Sequence, residues 1–208
     1  MKQTVKTFLG IWMIGLLSAF SLMAQSNTEL EYQPEEIGKR VVSHIVEQRV
    51  KWRYQRVCAY YGACRLSEAI NDPGILQQME ALYSPFLDGK REPHSGHVDY
   101  NVFGIWPFEM YRQTGNEKYL DQAKVLADDE FKDPREDGLS AYTRFWVDDM
   151  YMVGSLQVQA FKATGDSKYL DRAALFLKVY IKELQRNNHL FHHREDAPYF
   201  WGRGNGWV

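Results

Sequence analysis

Met110-Tyr-Arg-Gln-Thr-Gly-Asn-Glu-Lys-Tyr-Leu-Asp-Gln-Ala123 returns as Ala160-Phe-Lys-Ala-Thr-Gly-Asp-Ser-Lys-Tyr-Leu-Asp-Arg-Ala173, a period of 50 residues over which Thr, Gly, Lys, Tyr, Leu, Asp and Ala are unchanged. In both copies Thr-Gly is followed by Asn or Asp. Glycine suits the left-handed conformation that ends a helix, and Asn or Asp suits the cap that starts the next one. The Tyr-Leu-x-x-Ala that follows places apolar groups on one face of that next helix. Each copy therefore predicts a helical hairpin. Such hairpins stack side by side, because one alone leaves its apolar stripe uncovered. Residues 65–79 read as a degenerate first copy.

Upstream of the repeat, Ile37, Val41, Ile45 and Val50 fall at helical spacing over residues 35–52. A second helix is expected over residues 60–70, stopped by Asn71-Asp72-Pro73-Gly74, and a third over residues 75–83, broken at Ser84-Pro85. Residues 88–96 are polar and read as a loop. The chain is thus all-α in expectation. Long segments rich in His, Asp, Trp and Gly precede the helices, as loops converging on a central pocket would, and the period exceeds that of a tetratricopeptide unit. Both features favour a closed toroid of helical hairpins over an open solenoid.

The 208 residues carry 25 Lys and Arg against 27 Asp and Glu, with 45% apolar and 14% aromatic residues, which excludes a disordered or collagenous chain. Lys2 and Lys6 precede an uncharged apolar run over residues 8–24, so residues 1–24 read as a secretory signal peptide. A run of that length also sits at the lower edge of a membrane span, which makes an uncleaved anchor the rival reading. Removing residues 1–24 takes away two Lys and no acid, moving the formal charge from −2 to −4. A mildly acidic product, periplasmic or secreted, is a poor partner for nucleic acid, whose binding rests on clustered Lys and Arg. Beyond residue 24 no apolar run is long enough to cross a membrane. Cys58 and Cys64, six apart on an expected helix, point to different faces and read as two separate buried thiols rather than a disulfide.

Three segments are too polar and aromatic for packing alone. They are His94-Ser-Gly-His-Val-Asp99-Tyr-Asn, Arg144-Phe-Trp-Val-Asp148-Asp149-Met-Tyr-Met152, and Phe191-His-His-Arg-Glu-Asp leading into Tyr199-Phe-Trp-Gly-Arg-Gly-Asn-Gly-Trp207. Asp99 and Asp148 stand at matching points of successive hairpins, each just ahead of an apolar helix. Stacking would bring both to one rim, and a carboxylate pair beside aromatic walls is the equipment for cleaving sugar derivatives. The bland alternative is that both are helix caps. His94/His97 and His192/His193 invite a metal reading, but Pro93 and Gly96 argue for loops and the zinc-hydrolase pattern with Glu between two His is absent. Arg203 between Trp201 and Trp207, on a flexible glycine-rich loop, looks like a guanidinium clamp for a uronate with indole walls for the ring.

From Trp52 to Val208 the sequence resembles the unsaturated rhamnogalacturonyl hydrolases, glycoside hydrolase family 105, with the unsaturated glucuronyl hydrolases of family 88 as more distant relatives. The specific parts are Trp146-Val-Asp148 followed by Met152, and Trp201-Gly-Arg-Gly-Asn-Gly-Trp207. The resemblance implies an (α/α)6 toroid and removal of a 4,5-unsaturated uronic acid from the non-reducing end of polysaccharide-lyase products. It implies Asp148 as the acid and base and Asp99 as a second, assisting carboxylate. His193, Trp201, Arg203 and Trp207 would hold the unsaturated oligosaccharide, with Met152 and Tyr54 lining the pocket. No cofactor or metal is implied. Asp149 beside Asp148 leaves open which of the two faces the pocket. A closed toroid needs twelve helices, so residues 25–208 are expected to be the N-terminal part of the catalytic domain, truncated at the C-terminus.

Overall fold

The computed structural model describes residues 33–208, so the expected signal peptide lies outside the described residues. The elements are α1 (Pro34–Val46), α2 (Tyr54–Ala69), α3 (Pro73–Leu87), α4 (Val98–Asn101), a 3-10 turn (Val102–Gly104), α5 (Ile105–Thr114), α6 (Glu117–Asp129), α7 (Val147–Thr164), α8 (Ser167–Leu184), β1 (His192–Arg194), β2 (Ala197–Phe200) and α9 (Gly202–Trp207). Glu35–Val208 pack as one unit. No described helix is long and apolar enough to cross a membrane.

The repeat makes the joints expected of it. Gly115 and Gly165 end α5 and α7 at φ 70° and 72°, where a side chain would be strained. Thr114 Oγ1 donates to Met110 O (2.7 Å) and accepts from Asn116 N (3.2 Å); Asn116 Oδ1 caps α6 by accepting from Lys118 N (3.1 Å). Thr164, Ala160, Asp166 and Lys168 repeat these bonds at 2.7, 3.2 and 3.0 Å. The degenerate copy has the same joint: Asn71 takes the positive φ, 54°, and Asp72 caps α3 through Gly74 N (3.0 Å).

Three hairpins result, α2/α3, α5/α6 and α7/α8. Helices α2, α5 and α7 pack on one another as an inner layer, with α3, α6 and α8 outside. Position in the layers explains the sequence. The inner α5 and α7 are covered on most sides and bury consecutive residues, Ile105 to Met110 in the first and Val147 to Met150 in the second. The outer α8 buries one stripe, Tyr169, Ala173, Phe176, Tyr180 and Leu184, each large member contributing about 1.5–3 kcal/mol. The repeated Tyr and Ala lie in that stripe, whereas Leu170 is exposed, so the Leu of the repeat is not a core position in α8. The repeated Tyr also ties each outer helix to the one before it. Tyr119 Oη donates to Glu80 of α3 (3.4 Å) and Tyr169 Oη to Asp128 of α6 (3.2 Å).

Several boundaries differ from the expected ones. Helix α1 stops at Val46 rather than continuing to residue 52, and Arg91 Nη2 instead holds the carbonyl of Val50 (3.0 Å) in the following loop. Helix α3 runs through Pro85 to Leu87. Proline removes the N–H that would bond Ala81 O, and Ser84 Oγ supplies a donor to that carbonyl (3.0 Å). The antiparallel pair β1/β2, with His192 opposite Phe200 and Arg194 opposite Ala197, has no counterpart in the helical reading. Cys58 and Cys64 are separate thiols, the second buried and the first half-buried with Sγ 3.6 Å from Tyr151 Oη.

Candidate active site

The N-terminal ends of α4 and α7, the β1/β2 pair and α9 gather the polar segments. Trp146 is the N-cap of α7, so Asp148 and Asp149 fall in its first turn, where the helix dipole favours negative charge. His97 is the N-cap of α4 and its Nδ1 accepts from Asp99 N (3.1 Å). Neither Asp99 nor Asp148 is therefore a cap, although each sits one residue inside its helix start.

Asp148 and Asp149 are adjacent and opposite in environment. Asp149 is fully buried. Its Oδ1 accepts from Arg144 Nε (3.0 Å) and Nη2 (2.5 Å); its Oδ2 accepts from Tyr180 Oη (2.7 Å), Arg144 N (3.2 Å) and Trp146 N (3.5 Å). Burial pushes its carboxyl above the usual value, against the pull of Arg144 and Tyr180. Asp148 makes no comparable bonds. Its Oδ2 lies 3.7 Å from His193 Nδ1 and its Oδ1 4.0 Å from Arg203 Nη2. Both Asp148 Oδ2 and His193 Nδ1 are buried without a hydrogen-bond partner among the described residues. A carboxylate held close to an imidazole and a guanidinium, but bonded to neither, is free to exchange a proton with a ligand. Geometry thus turns Asp148, not Asp149, toward the other expected site residues.

Asp99 is partly exposed and meets Arg144 rather than Asp148: Arg144 Nη2 donates to Asp99 Oδ1 (3.1 Å), and His97 Nδ1 is 3.8 Å from Asp99 Oδ2. Arg203 stacks its guanidinium on Trp201 (3.9 Å to the ring centre) and donates to Tyr54 Oη (2.5 Å). The Trp207 ring lies 4.8 Å from Tyr151 and meets Tyr54 edge-on at 5.6 Å. Trp201 meets His193 edge-on at 4.9 Å. Tyr54, Asp148, His193, Trp201, Arg203 and Trp207 are brought together. Met152 is not presented with them: it is fully buried in the core one turn after Asp148, so it supports α7 from within and does not line the surface of the site.

The glycine-rich stretch is not a flexible loop. It forms α9, held by Asn205, whose Oδ1 accepts from Phe191 N (2.7 Å) and whose Nδ2 donates to Phe191 O (2.9 Å) and Trp201 O (3.1 Å). Gly204 lies against the start of α7, and a Cβ there would come 2.6 Å from Val147 Cγ1. The expected histidine clusters separate. His94 packs tilted against Trp52 (4.3 Å between ring centres), and His192 Nδ1 accepts from Arg186 Nε (3.1 Å). Among the described residues no group of three or more His, Cys, Asp or Glu is placed to hold a metal ion.

Sequence reasoning gave no role to Arg144, Tyr151, Tyr180 or Asn205. Arg144, Tyr151 and Asn205 stand inside the motifs already singled out. Tyr180 lies 31 residues from Asp149 with no local signal. Phe145, ahead of the carboxylates, adopts φ 54°, a conformation costing about 1–3 kcal/mol for a bulky residue. It is held there by its stacked contact with Tyr180 (5.1 Å) and by donation of its N–H to Tyr180 Oη (3.1 Å).

Residues 26–208 match the protein-family model of Glycosyl Hydrolase Family 88. The chain belongs to that family. No curated protein matches its sequence. Among solved structures, a glycosyl hydrolase family 88 protein from Bacteroides vulgatus is 18% identical with a TM-score of 0.63, covering 84% of this chain and 59% of its own. A polysaccharide lyase is 16% identical with a TM-score of 0.64, covering 82% and 57% respectively. A protein from Listeria innocua is 15% identical with a TM-score of 0.62, covering 83% and 57%. These likenesses identify the fold of this family 88 chain as part of an (α/α)6 toroid. The chain spans less than three fifths of the length of each of these structures.

Proposed function

We propose that the complete protein removes a 4,5-unsaturated uronic acid from the non-reducing end of lyase-released oligosaccharides of the rhamnogalacturonan type. The observation that carries this reading is Asp148, buried at a helix start with Oδ2 unbonded and set between His193 and Arg203. Asp148 gives its proton to C4 of the enol ether while water adds at C5 and returns a proton to the carboxylate. The hemiketal so formed opens and expels the aglycone, leaving Asp148 as it began. Asp99 assists as the second carboxylate. Arg203, braced by Tyr54 and Trp201, pairs with the uronate carboxylate, and His193, Trp201 and Trp207 hold the ring. The apolar run over residues 8–24 supports export to the periplasm or beyond.

The match to family 88 favours a second substrate, the unsaturated glucuronyl sugars of glycosaminoglycan or ulvan type. Both readings are tested by supplying the complete protein with unsaturated disaccharides from each polymer and following loss of the double bond's ultraviolet absorbance. Preference for the rhamnogalacturonan product is expected. Turnover of only the glucuronyl sugars would transfer the assignment to the second reading, and no turnover of any would end both.

A further inference from the structure

Arg144 touches three groups that no other described residue connects. Its Nε and Nη2 close on the buried Asp149, its Nη2 also donates to Asp99 at the rim (3.1 Å), and its Nη1 is 3.4 Å from His97 Nε2. One face of the guanidinium lies 4.8 Å from the ring centre of Trp146, the residue that opens α7. The buried end of this assembly is fixed from the outer layer, because Tyr180 of α8 donates to Asp149 and receives the N–H of Phe145. The strained turn at Phe145 is thereby locked between Arg144 and Trp146. Asp99, on the separate and short α4, meets no other arginine or lysine among the described residues, and His97 Nδ1 is 3.8 Å from its Oδ2.

We propose that Arg144 is a positioning residue that sets Asp99 relative to Asp148, using the buried Asp149–Tyr180 pair as its anchor. This rests on the reading of Asp148 and Asp99 as the working carboxylates. A bidentate guanidinium is rigid enough to transmit the position of the α7 start to the α4 start, which a flexible ammonium is not. The adjacent acids then divide their tasks. Asp148 faces the ligand, and Asp149 orients the arginine that orients the second carboxylate.

The single change Arg144→Met strands the Asp149 carboxylate in the core, so the informative variant is R144M/D149N, which removes both charges of the buried pair and keeps the bond to Tyr180. The complete protein is assayed for kcat and KM on its preferred unsaturated disaccharide, with Asp99→Asn introduced into both backgrounds. The double variant is expected to fold, to keep KM within about threefold, and to lose about 100-fold in kcat, as misplacement of a working group does. Asp99→Asn should cost the wild type at least about tenfold and the double variant less than about threefold, because the position it depends on is already lost. A purely structural ion pair predicts the opposite. Recovery of wild-type kcat in the double variant, or an equal Asp99→Asn factor in both backgrounds, overturns the proposal. If the double variant does not fold, the same cycle is run on Arg144→Lys, which keeps the charge but spans only one carboxylate, and an unchanged Asp99→Asn factor there is equally fatal. A wild type inactive on every unsaturated disaccharide refutes the enzymatic reading and this inference with it, whereas an active wild type isolates the test to Arg144.

Discussion

The hairpins α5/α6 and α7/α8 are near copies at one end and unlike at the other. At the Thr-Gly-Asx joints the corresponding side-chain bonds agree to within 0.1 Å. At the opposite end the second hairpin begins with the four-residue α4 and a 3-10 turn, and the third with a single continuous helix of 18 residues. The joints are 50 residues apart and the helix starts, His97 and Trp146, are 49 apart, so one residue of register is absorbed in the region of the 3-10 turn. The residues closing the two hairpins differ as well. Glu130 and Tyr180, one period apart, are both turned inward, the first toward Ser140 (3.2 Å) and the second toward Asp149. The repeat is faithful at its joints, and it departs from itself at the end where the candidate site residues stand.

The sharpest break in that comparison is Asp148→Asn, which keeps shape and removes the proton. A fall in kcat of about 1,000-fold with an unchanged thermal midpoint is expected, and a variant that still turns over would return the assignment to Asp149. Asp149→Ala attacks the frame instead. Leaving Arg144 beside an empty partner should destabilise the fold by about 3–5 kcal/mol in a denaturant titration, a loss that Asp148→Asn does not share.

Glu130 gives the comparison a pH axis. Burial raises its carboxyl to about 8, with Asp149 and Asp129 adding to the shift and Ser140 opposing it. A carboxyl raised in the folded state contributes stability that is present below its ordinary value and is lost as pH rises through the folded one. Wild-type stability should therefore decline between about pH 4.5 and 8, and Glu130→Gln should flatten that decline, as read from unfolding curves across the range. The smallest effect belongs to the faithful end. Asp166→Ala removes the cap of α8 and should cost about 1 kcal/mol, matched by Asn116→Ala in α6; a marked inequality would mean that the joints are less alike than their bonds.

The joints were legible in the sequence because each is made by neighbouring residues. Thr, Gly and Asx satisfy one another within three positions, and even Asn71-Asp72 retained the pattern. The motifs that hold Asp148, Arg203, Trp201 and Trp207 stood out in the sequence, and the fold gathers these residues in one place. The different surroundings of Asp148 and Asp149 were not legible, since Asp149 is bonded by Tyr180 from another helix. Strands of three and four residues leave no periodicity to detect, which hid the β1/β2 pair. Pro85 misled because the donor replacing its missing N–H belongs to Ser84, a side chain whose direction a sequence does not show.

The repeated tyrosines of the outer helices both point the same way. Tyr119 reaches back to Glu80 and Tyr169 reaches back to Asp128, each bonding to the hairpin before its own. For these two tyrosines, a chain growing from its N-terminus on the ribosome has already made the partner that each one meets. The site obeys a different clock. Tyr54 must wait 149 residues for Arg203, so one wall of the candidate site is made long before the side chain it braces.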